Sequence, residues 1–306
     1  MLLSGAAAAF AGVAGVCLAL SFTLAPSQIY AWIGVVFAAV MIIITGMVGL
    51  CLLSGALSHG EQTFTRRGVS AALATFTALS VLTLVLPNFT TSAPGGAYSM
   101  LQLAFVGFVS LVLYGAFVFI QTIKHRDYFL DEIHEKILAE TSAVSEGKAP
   151  AVHVERAPLG WTFIALVLAL VAVVLLAKAL APGLNSLARS VGAPVAAAGV
   201  FIAALVLLPE SIAAFRAARA NRLQTSMNLA LGSALASIGL TIPTLAVISI
   251  AMGWTLDLGL GTKEIVLLAL SLLVCTQSFS TGRTTVLQGT VHLVIFAVYL
   301  FTTIVP

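Results

Sequence analysis

The sequence predicts an all-α integral membrane protein with about nine transmembrane helices, and three observations carry that expectation. Of its 306 residues, 60% are hydrophobic and only 8% are charged, where an ordinary soluble domain has about 25% charged residues. Mean hydropathy is +1.11. The apolar residues fall into runs of about the 20 residues needed to cross hydrocarbon, separated by polar stretches. Alternation of the barrel kind is absent. An isolated strand in lipid leaves its backbone groups without partners, so the runs are helices.

In chain order the expected helices are 2–24, 28–55, 68–88, 98–122, 160–181, 191–215, 226–253, 264–279 and 285–305. The first, "MLLSGAAAAFAGVAGVCLALSFTLAPS", has no positive start and is longer than the core of a secretion signal, so it is expected to remain as a helix. Ala8, Gly12, Gly46 and Gly49 stand three or four residues apart within the first two runs, the spacing that lets helices approach closely. Cys17, Cys51 and Cys275 sit singly in apolar runs and read as small buried hydrophobes rather than disulfides or metal ligands.

Between the fourth and fifth helices, "KHRDYFLDEIHEKILAETSAVSEGKAPAVHVERAP" (124–158) mixes both charge signs. It reads as a solvated linker with a short surface helix over "DEIHEKILAE"; His125, His134 and His153 are expected to be solvated there. The fifth helix ends near Lys178, whose long side chain can reach the interface. Asp257, Lys263 and Glu264 gather at another helix end, within reach of water.

Lysine and arginine collect in cytoplasmic loops. With nine helices, one side receives Arg66, Arg67, Lys124, Arg126, Lys136, Lys148, Arg156, Arg216, Arg219, Arg222 and Arg283. The other receives Lys178, Arg189 and Lys263. All 14 basic residues are then placed, 11 against 3. The expected protein has a cytoplasmic N-terminus and an external C-terminus. Its net charge of +3 carries no nucleic-acid reading.

One charge does not fit a plain membrane span. Glu210 follows about seventeen apolar or small residues, and five more separate it from Arg216. An ionisable residue at such a depth is costly and marks a functional site by default. The bland alternative is an interfacial acid paired with Arg216 or Arg219. Against it stands Pro209, which removes one helix hydrogen bond and frees the carbonyl of Leu205. A free carbonyl beside a carboxylate makes the oxygen-lined notch that hard cations prefer, and broken helices bind ions in transporters. The next helix adds Asn228 and "GSALASIG", with Gly232, Ser233, Ser237 and Gly239 as a thin, weakly polar face. A carboxylate there can hold a cation or a proton, the minimum chemistry of exchange.

"LLPESIAAFRAARANRLQTSMNLALGSALASIGLTIP" and "LVCTQSFSTGRTTVLQGTVHLVIFAVYL" resemble the bacterial calcium/proton (sodium, potassium/proton) antiporters of the ChaA type. These belong to the cation/proton exchanger family of the cation/calcium antiporter superfamily. The resemblance is close from about Ala193 to Tyr299 and weaker from Ala31 through "MIIITGMVGLCLLSG" and "LYGAFVFIQT". It implies two inverted repeats of five helices, each with an acidic helix pair, around one cation site. It implies that Glu210 is the second repeat's cation ligand and proton carrier, with Pro209, Asn228, Gly232 and Ser233 around it. Thr45 and Gly46 are the weaker counterpart in the first repeat. The implied division is an N-terminal repeat over 1–123, a cytoplasmic linker over 124–159 and a C-terminal repeat over 160–306. The inverted repeat is incomplete. The helix before 28–55 should carry its own glutamate, and "LLSGAAAAFAGVAGVCLALSF" has none. Two helices expected before it are also missing, which takes the family's eleven to nine and keeps the parity.

The resulting expectation is a secondary transporter exchanging Ca²⁺, or Na⁺/K⁺, for protons by alternating access, with no resident cofactor. Its partners are the lipid bilayer and the transported ions. The alternative is a non-transporting remnant or subunit that keeps the fold, consistent with the missing acid. An intramembrane enzyme is disfavoured: the helices hold no His-Glu metal pair or serine nucleophile motif, and His292 alone reads as a packed or interfacial histidine.

Overall fold

A continuous helix in hydrocarbon bonds its own backbone, and seven such helices are found in the computed structural model. It describes residues 29–124, 126–129, 195–253 and 255–305, with Ala179 and Gly183 singly. Helix α1 is built in three consecutive parts: α-helical Ile29–Met41, a π-helical turn Ile42–Met47, and α-helical Val48–His59. Helix α2 is Arg66–Ser80, prolonged by a π turn, Val81–Val85, and a 3₁₀ turn, Leu86–Phe89. Helix α3 is Met100–Phe119 with a π-helical end, Ile120–Lys124, and a 3₁₀ turn Arg126–Phe129 follows. Then come α4, Val195–Arg219; α5, Leu223–Met252; α6, Thr262–Ser280; and α7, Val286–Ile304.

All seven are long and apolar enough to cross a membrane. They match seven of the nine expected runs. The other two, 2–24 and 160–181, lie outside the described residues, as do 130–158 of the linker, Cys17 and Lys178. Among the described residues there is no sheet, only two isolated bridges between loops.

Local sequence explains where the helices stop. Ser99 with Gln102, and Thr285 with Gln288, form reciprocal capping boxes at the starts of α3 and α7. Gly253 ends α5 in the left-handed region at φ 68°, which a side chain would strain. Helices α1 and α5 form the centre, and the others surround them. Large apolar side chains such as Leu101, Phe105, Phe108, Phe201 and Phe301 are exposed on the outer helices. So wide an apolar surface is stable against lipid rather than water.

The loops close at both ends. At one end, Gln62 Nε2 donates to Ala218 O at 3.1 Å and to Asn221 Oδ1 at 2.9 Å. Gln62 N also donates to Thr284 Oγ1 at 3.1 Å, Thr284 N donates to Gln62 O at 3.0 Å, and Phe64 N donates to Gly282 O at 3.1 Å. The α1–α2, α4–α5 and α6–α7 loops therefore share this end. It carries Arg66, Arg67, Lys124, Arg216, Arg219, Arg222 and Arg283. At the opposite end, Gly259 N donates to Gly96 O at 2.9 Å and Asn88 Nδ2 to Leu260 O at 2.7 Å. Lys263 is there, paired with Glu264 at 3.6 Å and bonded to Thr302 O. The charge asymmetry read from the sequence is thus present in the described helices. Cys51 and Cys275 are buried and free, as expected.

Helices α1 and α7 touch through glycines. A Cβ at Gly289 would stand 2.8 Å from Leu53 Cα, and one at Gly49 would stand 2.9 Å from His292 Cβ. Gly46 and Gly49 therefore do what their spacing suggested. Gly289→Leu should force the two helices apart and lower stability by about 1–3 kcal/mol, read as a drop in the unfolding temperature of the detergent-solubilised protein. Gly60→Ala, where no neighbour lies within 4 Å but φ is 71°, strains only the backbone and should cost less.

Candidate functional site

Helix α4 buries Ala203, Leu207, Ala214 and Ala218, a stripe with helical spacing. Glu210 falls on that stripe, three residues after Leu207 and four before Ala214. Its carboxylate therefore faces the bundle rather than the lipid. The residue is half-buried, and its Oε2 is fully buried without a hydrogen-bond partner. Among the described residues neither Arg216 nor Arg219 pairs with it; Arg219 instead lies over the Phe215 ring. The interfacial ion pair is not formed.

Pro209 sits one position off the stripe and is exposed. Helix α4 runs unbroken through it, contrary to the broken helix expected from the sequence. One missing N–H costs a single hydrogen bond, and the flanking turns keep the helix together. The notch that Pro209 leaves opens on the outward face, where Leu205 and Leu208 are also exposed.

The tight turn 220–222 makes α4 and α5 an antiparallel hairpin. Nine residues back from Arg219 is Glu210, and nine on from Leu223 is Gly232. At a rise of 1.5 Å per residue both lie about 13 Å from the arginine-rich end. Glu210, Gly232 and Ser233 are thus brought to one level. Open space surrounds the point where a Cβ on Gly232 would stand. Ser233 Oγ, like Glu210 Oε2, is buried without a partner. Ser226, two turns earlier on the same face of α5, also has an unpartnered hydroxyl.

Asn228 is placed differently. It lies about 6 Å closer to the turn, and its amide is already engaged. Its Nδ2 donates to Phe129 O at 2.5 Å, and its Oδ1 accepts from Gln224 Nε2 at 3.0 Å. Asn228 ties the turn after α3 to α5, with Phe129 packed edge-on against Phe117. The thin face of α5 is also divided: Gly239 receives Tyr114 of α3 at 2.7 Å from its Cβ position.

From the first half of the chain, Thr45 and Gly46 lie in the buried π turn of α1, which packs against both α4 and α5. Thr45 Oγ1 donates to Met41 O, so its hydroxyl is back-bonded to its own helix. Gly46 gives room to the Phe296 ring of α7. The arrangement joins an inward carboxylate, a hydroxyl, a bare glycine and a distorted helix. No group of three or more His, Cys, Asp or Glu side chains able to hold a metal ion occurs among the described residues. The π turn was not legible from composition; its only trace is the run "IIITGM", with small or polar residues inside an apolar helix.

Comparison with known proteins places the chain. The sodium/calcium exchanger protein family matches residues 3–123 and 161–305. The chain is 50% identical over 272 residues to y4hA of Sinorhizobium fredii, described as an ionic transporter, covering 89% of this chain and 71% of that one. It is 37% identical over 266 residues to the sodium-potassium/proton antiporter ChaA of Escherichia coli, covering 87% and 70%. The crystal structure of the Ca²⁺/H⁺ antiporter YfkE superposes with a TM-score of 0.71 at 15% identity, over 98% of this chain and 84% of that one.

The hydrogen bonds separate two roles on α5. Asn228→Ala breaks two bonds and leaves Phe129 O without its donor, so stability should fall by about 1–3 kcal/mol. Ser233→Ala removes a buried hydroxyl that has no partner, and thermal unfolding in detergent should be unchanged or slightly later.

Proposed function

The chain belongs to the sodium/calcium exchanger protein family, and on that premise we propose that it is a cation/proton antiporter whose exchange site is built on Glu210. It works by alternating access in the inner membrane, taking Ca²⁺ or Na⁺/K⁺ in exchange for H⁺. The observation that carries this reading is the buried, unpartnered Oε2 of Glu210 on the inward stripe of α4. An acid held there without an arginine is costly unless it has a cation or a proton as partner. Ser233 and the open space at Gly232 supply an oxygen and room at the same level. The π turn with Thr45 and Gly46 is the opposite wall. Asn228 supports the site from below, and Pro209 weakens α4 next to the carboxylate. The relatives named for ionic transport and for sodium-potassium/proton antiport favour transport over an enzymatic role.

The finer architecture belongs to the same proposal. The chain has nine helices arranged as an incomplete inverted repeat, with 1–123 and 160–306 as its halves and 124–159 as the cytoplasmic linker. The arginine-rich end faces the cytoplasm, by the tendency of basic residues to stay there. The transported ions are cargo, and no resident cofactor is needed. Single cysteines at Ser145 and Thr303 should then be labelled from opposite sides of the membrane. Labelling of both from one side of intact vesicles would overturn the topology.

Protons and cations compete for one carboxylate on this reading. A protonated Glu210 has no charge to hold a cation, so the apparent KM for the cation should rise as pH falls. In everted vesicles the wild type should show cation-driven proton movement. Glu210→Gln keeps the size and one carbonyl oxygen but loses charge and proton, and its exchange should fall to background while expression persists. Equal transport by wild type and Glu210→Gln would dismiss Glu210 as the site. A silent but well-folded wild type would instead favour the non-transporting reading.

A further inference from the structure

The π turn of α1 is held from outside. In an α-helix Ile44 O would receive the N–H of Val48, but that N–H is turned to Ile43 O and Thr45 O. Ile44 O is met by His292 Nδ1 of α7 at 2.9 Å and by Cys275 Sγ of α6 at 3.6 Å. A carbonyl only accepts, so Nδ1 carries the proton. In a neutral ring Nε2 is then the acceptor, and it lies 3.2 Å from Ser278 Oγ, which can donate. The imidazole is fully buried and lies nearly parallel to Phe279, with ring centroids 6.5 Å apart. Gly49, one turn beyond Thr45, leaves the room that His292 occupies. Partners on two helices, α1 and α6, and a stacked ring thus set the orientation of this side chain.

We propose that His292 is a positioning residue of the exchange site: its Nδ1–H, given to Ile44 O, keeps α1 in the π form that sets Thr45 and Gly46 against α4 and α5. The inference rests on the reading of Glu210 as the exchange site. A π turn contains one residue more than the α-helix it interrupts. Without the outside donor, Ile44 O regains a partner when Val48 N–H returns to it. The turn then closes to α, and the segment before it rotates by about 100°, one residue's worth of helix. Thr45 and Gly46 leave their place on the wall, although the helix itself stays intact.

Three substitutions separate this role from simple packing. Asparagine carries its amide nitrogen at the position of Nδ1, glutamine carries its own at the distance of Nε2, and leucine fills space without a donor. His292→Asn should keep the cation KM near wild type in everted vesicles. His292→Gln and His292→Leu should raise it by about tenfold, the equivalent of the one hydrogen bond that holds Thr45 and Gly46 in place, with maximal rate much less affected. Ser278→Ala loosens the ring without removing the donor and should fall between. Hydrogen exchange across residues 42–49 in purified, detergent-solubilised protein reads the turn directly. It should be slower than wild type in the Gln and Leu variants, where the regular α ladder has closed, and unchanged in the Asn variant. Equal behaviour of all three variants in exchange and in KM would overturn the proposal, as would rescue by Gln rather than Asn. Altered exchange with an unaltered KM would also overturn the positioning role. Failure of the Glu210 reading shows separately, as normal transport by Glu210→Gln, and removes the positioning role while hydrogen exchange still reports the bond.

Discussion

In hydrocarbon a backbone carbonyl that leaves its own helix must be met by another one. That constraint shapes this molecule wherever its helices are irregular, because water cannot repair the loss. Helix α1, the most buried, carries a π turn at its centre, and side chains of α6 and α7 reach across to its displaced carbonyl. Glycines at 46, 49 and 289 allow that reach by letting α1 and α7 come into backbone contact. Hydroxyls across the bundle are tied up in turn: Thr45, Ser80, Thr83, Ser110 and Ser271 each bond the carbonyl one turn earlier. A bundle that satisfies its polar groups so thoroughly makes the exceptions informative.

Four buried side-chain atoms among the described residues have no partner: Gln62 Oε1, Glu210 Oε2, Ser226 Oγ and Ser233 Oγ. Two of them stand at one level of the α4–α5 hairpin, and one is a carboxylate oxygen. Leaving such groups unbonded costs free energy that packing elsewhere must offset. An exchange site needs that cost. A carboxylate already paired with arginine has little to gain from a cation, and one left open binds and releases what the two sides of the membrane supply. The loops behave in the opposite way. Gln62, Asn221, Gln224 and Thr284 bind the arginine-rich end together, so rearrangement on that side has to break several bonds at once.

Much of this was legible in the sequence, for a physical reason. Apolar run length decides what crosses a bilayer, and the described helices start and stop within a few residues of the runs. The positions of arginine and lysine carried the charge asymmetry between the two ends of the described helices. Glu210 stood out because charge is rare at that depth, and the buried stripe through Leu207 and Ala214 gives its inward direction directly. Pro209 misled, since a proline predicts a lost hydrogen bond but not the outward face on which the loss falls. Asn228 stood out as a polar residue in an apolar run, but that its amide holds the chain after α3 was not legible there.

What the sequence determined by itself was therefore the class of solvent, the helices and the residue out of place among them. Those follow from composition and from spacings of three or four residues along one helix. Tertiary structure alone decided which polar groups are partnered. Asn228 meets a carbonyl 99 residues away, and His292 meets one 248 residues away. No local pattern encodes a hydrogen bond between helices so distant in the chain, because its geometry depends on how closely the helices pack. The same packing sets Thr45 and Gly46 beside α4 and α5 and leaves Glu210 and Ser233 open between them.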